Sequence, residues 1–256
     1  MWGALIGDLA GAVYEGRPIK RKDFGPLIHP NARPTDDSVL TVAVADALLS
    51  GRSLVESLKD WGRRYPDAGY GWRFRQWLLS DCNAPYGSYG NGAAMRCAPA
   101  ALLASDLAAA LELARQTAIV THDHPEGIKG AQATVMAIFL ARQGEPAASI
   151  RQAVAAYTGY DLDRTVEDIR PRYRFDVTCQ GSVPEALICA LEAGGFEDAI
   201  RNAVSLGGDA DTQAAIAGAL AEARFGIPQD IAREARARIP EDMRAVMQQL
   251  YAAAGM

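Results

Sequence analysis

The 256-residue sequence has little of what marks secreted or membrane proteins. Its four cysteines show no CxxC spacing, and no stretch approaches eighteen uncharged apolar residues. The cysteine pattern therefore indicates reduced thiols, and the hydropathy predicts no membrane span. The apolar N-terminal segment has no basic region and is interrupted by Asp8 and Glu15, which argues against a signal peptide. We expect a cytoplasmic protein.

A strong excess of one charge is also missing. The net charge of -5 is spread over both halves of the chain and argues against broad nucleic-acid binding. It does not exclude a small anionic ligand, because a few amides and one or two basic groups can hold a phosphate. No segment is typical of a coiled coil or an exposed apolar stripe, so we expect a monomer.

Alternating strand patterns are nearly absent, and only Arg172 to Cys179 forms a weak candidate strand. Alanine-rich segments with helical spacing dominate instead. The predicted helices cover Val39–Leu49, Leu54–Tyr65, Ala98–Ile119, Gln132–Ala141, Ile150–Tyr157, Val183–Leu191, Phe196–Ser205, Ala214–Phe225 and Met243–Ala253. The sequence predicts an all-α fold, a single compact multi-helix domain over residues 1–256. Long loops are expected at 17–34, 83–92 and 161–180, where functional residues tend to lie.

Two groups of carboxylates precede predicted helices, in Thr35-Asp36-Asp37 and in Gly207-Gly208-Asp209-Ala210-Asp211-Thr212. Either group alone is typical of a helix N-cap. Together they concentrate four aspartates and two threonines, and paired carboxylates repel unless protons or cations separate them. Oxygen ligands without histidine or cysteine are those that Mg²⁺ prefers. The pattern favours a magnesium site, with capping as the alternative.

Two further segments could take part in a site. The glycines of the 87–92 loop could present backbone N–H groups to a pyrophosphate, or the loop could be a flexible connector. Tyr86 or Tyr89 could stack on a base or could simply be exposed. His122 and His124 flank an aspartate, as in HD-type phosphohydrolases, but that fold needs an earlier histidine ligand, and His29 lies in a loop.

These motifs, in this order, resemble the ADP-ribosylglycohydrolase family. The matching elements are Gly7-Asp8 with Glu15, Thr35-Asp36-Asp37, Gly87-Ser88-Tyr89-Gly90-Asn91-Gly92, Thr121-His122 and Gly207-Gly208-Asp209-Ala210-Asp211-Thr212. The resemblance runs from about Gly3 to Phe225, and the last helices are generic. It implies an all-helical fold with two Mg²⁺ ions in a central cleft.

The resemblance also assigns residues to roles. One ion would be held by Thr35, Asp36, Asp37 and Asp211, and the other by Asp209, Asp211 and Thr212. Glu15 matches a glutamate on a mobile flap beside the metals; without the family it would be interpreted as a solvated helix-end residue. The implied substrate-binding residues are Gly71, Gly87, Ser88, Tyr89, Gly90, Asn91 and His122. The resemblance favours Tyr89 over Tyr86 for stacking on adenine and places Ser88 and Asn91 near the phosphates. Asn83 stands where some relatives carry an aromatic residue, so we expect a differently built adenine pocket.

The activity implied is hydrolysis of the glycosidic bond between ADP-ribose and a protein or small-molecule carrier, through an oxocarbenium-like state. The catalytic base would be Glu15, Asp36 or Asp37, which the sequence does not rank. The loop motifs favour O-linked, serine-type carriers over arginine. The alternatives are a non-catalytic ADP-ribose-binding protein and a metal-dependent phosphohydrolase. The presence of every aspartate in both clusters argues against the non-catalytic alternative.

Overall fold

Fifteen helices make up the computed structural model, which describes residues 1–256. They are α1 (Trp2–Gly11), α2 (Asp36–Ser50), α3 (Leu54–Arg64), α4 (Trp72–Leu79), α5 (Gly92–Arg96), α6 (Ala98–Leu103), α7 (Leu107–Ile119), α8 (Pro125–Arg142), α9 (Ala147–Thr158), α10 (Val166–Ile169), α11 (Cys179–Glu192), α12 (Phe196–Val204), α13 (Ala210–Phe225), α14 (Gln229–Arg236) and α15 (Glu241–Ala253). The all-α prediction is confirmed. None of the helices has the length and apolar character needed to cross a membrane.

The structure corrects two local predictions. The single helix expected over 98–119 is two helices: the first ends at Leu103, where Ala104 turns to an extended conformation, and Asp106 caps the second. Its carboxylate accepts a hydrogen bond from the amide of Ala109 at 2.8 Å, as such residues do at helix starts. The weak strand expected over 172–179 is an extended segment, and its only pairing is one isolated bridge between Gly90 and Thr178.

The close approach of α1 and α13 places the functional segments. Gly3, Gly7 and Gly11 lie one turn apart on α1, and a Cβ atom on Gly7 would lie only 1.9 Å from the carbonyl oxygen of Ala214. A Cβ on Gly11 would lie 2.3 Å from the carbonyl oxygen of Ala210. The two helices are therefore antiparallel, and the end of α1, followed by Glu15, lies beside the start of α13.

Candidate active site

A cavity of about 330 Å³ lies between the first turns of α2 and α13, the short helix α5 and the neighbouring loops. This volume is in the range of small-ligand sites. Two sets of side chains dominate its lining. We call the first, Glu15, Asp36, Asp37, Asp209 and Asp211, the carboxylate cluster. We call the second, Arg73, Tyr86, Arg96 and His122, the Arg–Tyr–His group.

The start of α2 is capped without the carboxylates of Asp36 and Asp37. The Thr35 hydroxyl accepts a hydrogen bond from the Asp37 amide at 3.2 Å. Asp8, which is fully buried, accepts from the Thr35 amide at 2.9 Å and hydroxyl at 2.7 Å. It also accepts from the Ser38 amide at 3.1 Å and from the Ser38 hydroxyl. Asp8 and Thr35 thus perform the capping, which leaves the next two carboxylates available for another role.

The start of α13 differs, because the side chain of its N-cap residue, Asp209, makes no capping hydrogen bond. Its carboxylate instead accepts from the side-chain amide of Asn91 at 2.7 Å. Asp211 accepts from the Thr212 amide at 3.0 Å, and the Thr212 hydroxyl donates to Asp37 at 3.1 Å. These bonds join α2 and α13 across the cavity, and they place Asn91 beside the carboxylates.

The carboxylates are crowded and poorly compensated. Carboxylate oxygens of Glu15, Asp209 and Asp211 lie within 4.8 Å of one another, and Oδ1 of Asp37 is buried without a partner. Burial, together with Asp8 and Asp209, raises the pKa of Asp36 to about 8. Burial and the neighbouring aspartates hold the pKa values of Asp37 and Asp211 well above the ordinary range. Such an all-oxygen cluster could bind a metal ion.

The Arg–Tyr–His group is held by contacts among its members and with Thr121. The guanidinium of Arg73 lies 5.1 Å from the ring centroid of Tyr86, whose ring lies 6.1 Å from that of His122. Arg96 donates to the Thr121 hydroxyl at 2.6 Å, and that hydroxyl lies 2.7 Å from Nδ1 of His122. Burial, then the charges of Arg96 and Arg73, hold the pKa of His122 well below its ordinary value. His122 is therefore neutral.

The glycine loop does not offer the expected row of free amides. The Gly87 amide donates to Asp123 at 2.8 Å, and the Gly90 amide donates to the Ser88 hydroxyl at 3.2 Å. The amide of Asn91 donates to the carbonyl of Val177 at 2.8 Å. Because these donors are used inside the protein, side chains carry most of the polar lining on this side of the cavity.

Most of the predicted site residues lie together in the cavity lining: Glu15, Asp36, Asp37, Gly71, Ser88, Gly90, Asn91, His122, Asp209, Asp211 and Thr212. Thr35, Gly87 and Tyr89 are not among the lining residues. Thr35 supports the start of α2, as described above. Tyr89 is 46% exposed and its ring lies 5.2 Å from that of His124.

Sequence reasoning missed Arg73 and Arg96 as lining residues, and Asp8 as a support. Trp72, which follows the predicted Gly71, also lines the cavity and is 69% exposed. Asp8 and Arg96 share one signal, since each is the only charged residue of an otherwise apolar helix, α1 and α5 respectively. A lone charge that a core helix keeps buried needs partners from elsewhere in the fold.

The three histidines have separate roles. Only His122 lines the cavity. His124 caps α8, since its Nδ1 accepts a hydrogen bond from the Glu126 amide at 3.1 Å, and Nδ1 of His29 accepts from the Asn31 amide at 3.1 Å. This arrangement gives no support to a phosphohydrolase with a histidine-ligated metal.

The fold and the cavity together define a helical protein whose site joins buried carboxylates to an Arg- and His-lined wall. The chain belongs to the ADP-ribosylglycohydrolase family, whose profile matches residues 1–256. This family membership confirms the predicted enzyme class, an ADP-ribosyl hydrolase.

Individual relatives agree with the family match. ADP-ribosylhydrolase ARH3 of Bos taurus is 27% identical and aligns over 89% of this chain and 84% of its own length. ADP-ribosyl-(dinitrogen reductase) glycohydrolase of Rhodospirillum rubrum is 27% identical and aligns over 99% of this chain and 95% of its own length. ADP-ribosylarginine hydrolase Tri1 of Pseudomonas putida is 26% identical and aligns over 88% of this chain and 69% of its own length. A solved ADP-ribosylglycohydrolase-related protein complex superposes with a TM-score of 0.76 at 29% identity, over 99% of this chain and 95% of that one.

Proposed function

We propose that the protein is a Mg²⁺-dependent hydrolase that cleaves the glycosidic bond between ADP-ribose and its carrier, with O-linked, serine-type carriers favoured over arginine. The observation that carries this proposal is the pairing of the carboxylate cluster and the Arg–Tyr–His group in one cavity. ADP-ribose combines a ribose diol, which suits cation-bound carboxylates, with a pyrophosphate, which suits Arg and His donors.

The residues of the carboxylate cluster fit magnesium. Capping leaves Asp36, Asp37 and Asp209 free of helix amides, and Asp37 retains an unpartnered buried oxygen. We propose that Thr35, Asp36, Asp37 and Asp211 hold one ion and that Asp209, Asp211 and Thr212 hold the other. The Thr35 hydroxyl donates to Asp8 and accepts from Asp37, which leaves one lone pair for a cation.

Bound magnesium would neutralise the cluster and lower the pKa of a bound water. The proton of the attacking water would then pass to a carboxylate, for which Glu15, Asp36 and Asp37 are the candidates. We favour Glu15 because it is the exposed member of the cluster and a carboxylate fully engaged by a cation is a poor base. Its carboxylate also lies within 4.8 Å of those of Asp209 and Asp211, so this role requires that it does not bind the ion that they hold. In the metal-free protein, burial and then Asp209 raise the pKa of Glu15.

The opposite wall would orient the substrate. Ser88, Asn91 and His122 line the cavity beside the arginines, where their donors suit the phosphates and ribose hydroxyls; we include Gly71, Gly87, Tyr89 and Gly90 as the family resemblance implies. Of the two tyrosines considered for adenine, Tyr86 lies in the lining and is better placed. A single domain over residues 1–256, acting as a cytoplasmic monomer, completes the proposal.

The carrier preference needs a direct test, since the relatives include both ARH3 and an enzyme named for arginine. Two peptides that differ only in a serine or arginine linkage are incubated with the protein in Mg²⁺ or in chelator. We expect Mg²⁺-dependent release of intact ADP-ribose, faster from the serine-linked peptide. Release from the arginine-linked peptide alone would refute the preference. AMP as product would indicate a phosphohydrolase, and binding without release would indicate a non-catalytic ADP-ribose-binding protein.

A further inference from the structure

Arg96 is a fully buried arginine without a carboxylate partner. It is 1% exposed, and its guanidinium donates to the Thr117 carbonyl at 3.1 Å and the Thr121 hydroxyl at 2.6 Å. Burial lowers the pKa of Arg96 to about 10, so the group stays charged at neutral pH. An unpaired buried charge is costly for folding, which suggests that this arginine serves the neighbouring site.

The hydrogen bonds around Thr121 favour one direction. A guanidinium only donates, so the Thr121 oxygen accepts the bond from Arg96 and keeps one lone pair and its own proton for other partners. Nδ1 of His122 lies 2.7 Å from this hydroxyl. If Nδ1 accepts the Thr121 proton, the bonds run in one direction, from Arg96 through Thr121 to His122, and each strengthens the next. In the reverse arrangement the guanidinium and an Nδ1–H group would both donate to the Thr121 oxygen, and the hydroxyl proton would not be used in this contact.

The other ring nitrogen of His122 lies against the glycine loop. A Cβ atom on Gly92 would lie 3.2 Å from Nε2, and one on Gly90 would lie 3.7 Å from it. Since His122 lines the cavity with these glycines, a proton on Nε2 is available to a ligand there. Glycine at position 92 leaves the space that the ring occupies.

We propose that Arg96 and Thr121 are positioning residues that fix His122 as the neutral Nε2–H tautomer, so that Nε2 donates a hydrogen bond to an oxygen of the bound ligand. The identity of that ligand as ADP-ribose rests on the proposed function. The tautomer itself is a property of the protein without ligand, so the two can be tested separately.

The first test is the tautomer of His122, measured by ¹⁵N NMR of the imidazole nitrogens at pH 7. The chain contains only three histidines, and H122Q assigns the signal. We expect a protonated Nε2 in the wild-type protein, a mixture of tautomers in T121V, and restoration in T121S. A wild-type ring that is protonated on Nδ1, or on both nitrogens, would overturn the proposal. Thr121→Val is nearly isosteric, so it is preferred to a substitution of the fully buried Arg96, and thermal melts check its folding.

The second test is ADP-ribose affinity by calorimetry, in Mg²⁺, for T121V, H122Q and the double variant. A hydrogen bond to a charged group is worth roughly tenfold or more in affinity, so we expect about a tenfold loss in H122Q. In T121V we expect a smaller loss, of about two- to threefold, because only the rings protonated on Nε2 remain competent, and T121S should bind as the wild type does. In the H122Q background, T121V should cause no further loss, because it acts through His122. Independent, additive losses would contradict the proposal. Absence of ADP-ribose binding by a wild-type protein with the expected tautomer would instead refute the proposed function.

Discussion

The carboxylate cluster and the Arg–Tyr–His group line the same cavity but are supported in different ways. Four of the five carboxylates come from the starts of two long core helices, α2 and α13, which the Thr212–Asp37 hydrogen bond joins. The Arg–Tyr–His group comes from the short helices α4 and α5, the loop after α4 and the connection between α7 and α8. Its members are held by hydrogen bonds and by ring contacts among themselves.

The two sets also differ in how their charges are compensated. Like charges in the cluster raise one another's pKa values, as for Asp37 and Asp211, so the cluster is under repulsion until a cation or protons arrive. In the Arg–Tyr–His group, the guanidinium of Arg73 packs against the ring of Tyr86, and Arg96 donates hydrogen bonds to oxygens of Thr117 and Thr121. We infer that the cluster lowers stability for the sake of activity, whereas in the Arg–Tyr–His group only the buried Arg96 carries such a cost and the exposed Arg73 does not.

The strongest test of this difference is Asp211→Asn. We expect turnover of ADP-ribosylated peptide to fall by about 10³-fold, because loss of a metal ligand removes several kcal/mol of transition-state stabilisation. In chelator, the same variant should melt above the wild-type protein, since one repelling charge is gone. Activity assays in Mg²⁺ and melts in chelator check the two effects. An unchanged turnover, or a lower melting temperature in chelator, would contradict the inference that the carboxylate cluster lowers stability and supports activity.

Asp8 provides a second test, because it is a buried carboxylate that, unlike the cluster, accepts hydrogen bonds from protein donors at both of its oxygens. Asp8→Ala should reduce the free energy of unfolding by about 3 kcal/mol, since it leaves the buried donors of Thr35 and Ser38 without an acceptor. Urea unfolding in chelator measures this loss directly. Asp8→Asn keeps one acceptor oxygen and should lose less. Equal stability of Asp8→Ala and wild type would mean that relief of the repulsion between Asp8 and Asp36 offsets the lost hydrogen bonds, and would contradict the prediction.

The sequence predicts site residues well where they stand close together in the chain, at the start of a helix. Asp36, Asp37, Asp209 and Asp211 stand at helix starts with a recognisable residue order, so they could be predicted as one site, and all four line the cavity. The all-helical fold was also predictable, because alanine-rich segments with helical periodicity dominate the chain. Their helical periodicity could not show that one predicted helix would be divided into two between Ala104 and Asp106.

The residues that were missed depend on partners distant in sequence. Asp8 binds Ser38 across 30 residues, and Arg96 binds Thr121 across 25. The amide of Gly87 is taken by Asp123, 36 residues away, so the local glycine pattern suggested free donors that the fold uses elsewhere. Single-sequence patterns carry no information about such pairings, although a lone charge within an apolar helix signals that a partner must exist.

A third prediction concerns pH and magnesium. The pKa of Asp36 is about 8 in the folded protein against an ordinary value of 3.8, so the folded state binds this proton more tightly than the unfolded chain. Its contribution to stability is complete below about pH 4 and is lost as the pH rises towards about 8. The metal-free protein should therefore melt at lower temperature at pH 8 than at pH 5.

Magnesium should restore the stability that the metal-free protein loses at high pH, and its effect should be larger at pH 8 than at pH 5, because it competes less with protons there. At a hundredfold excess over its Kd, a ligand adds about 2.7 kcal/mol, which corresponds to a rise of about 5 to 10 °C in Tm for a chain of this size. Melts at both pH values, with Mg²⁺ or chelator, check the prediction. An equal Mg²⁺ effect at pH 5 and pH 8 would show that the cluster is already ionised.

The smallest expected effect lies in the Arg–Tyr–His group, at the exposed Arg73. Arg73→Ala should weaken ADP-ribose binding by about tenfold, the value of one charge-assisted contact. It should raise KM with little change in kcat, because a phosphate contact is made equally in substrate and transition state. Arg73→Lys should recover part of the loss. Stability in chelator should stay within about 0.5 kcal/mol of wild type, as for an ordinary surface substitution. A fall in kcat as large as that of Asp211→Asn would mean that the two sets do not divide binding from catalysis.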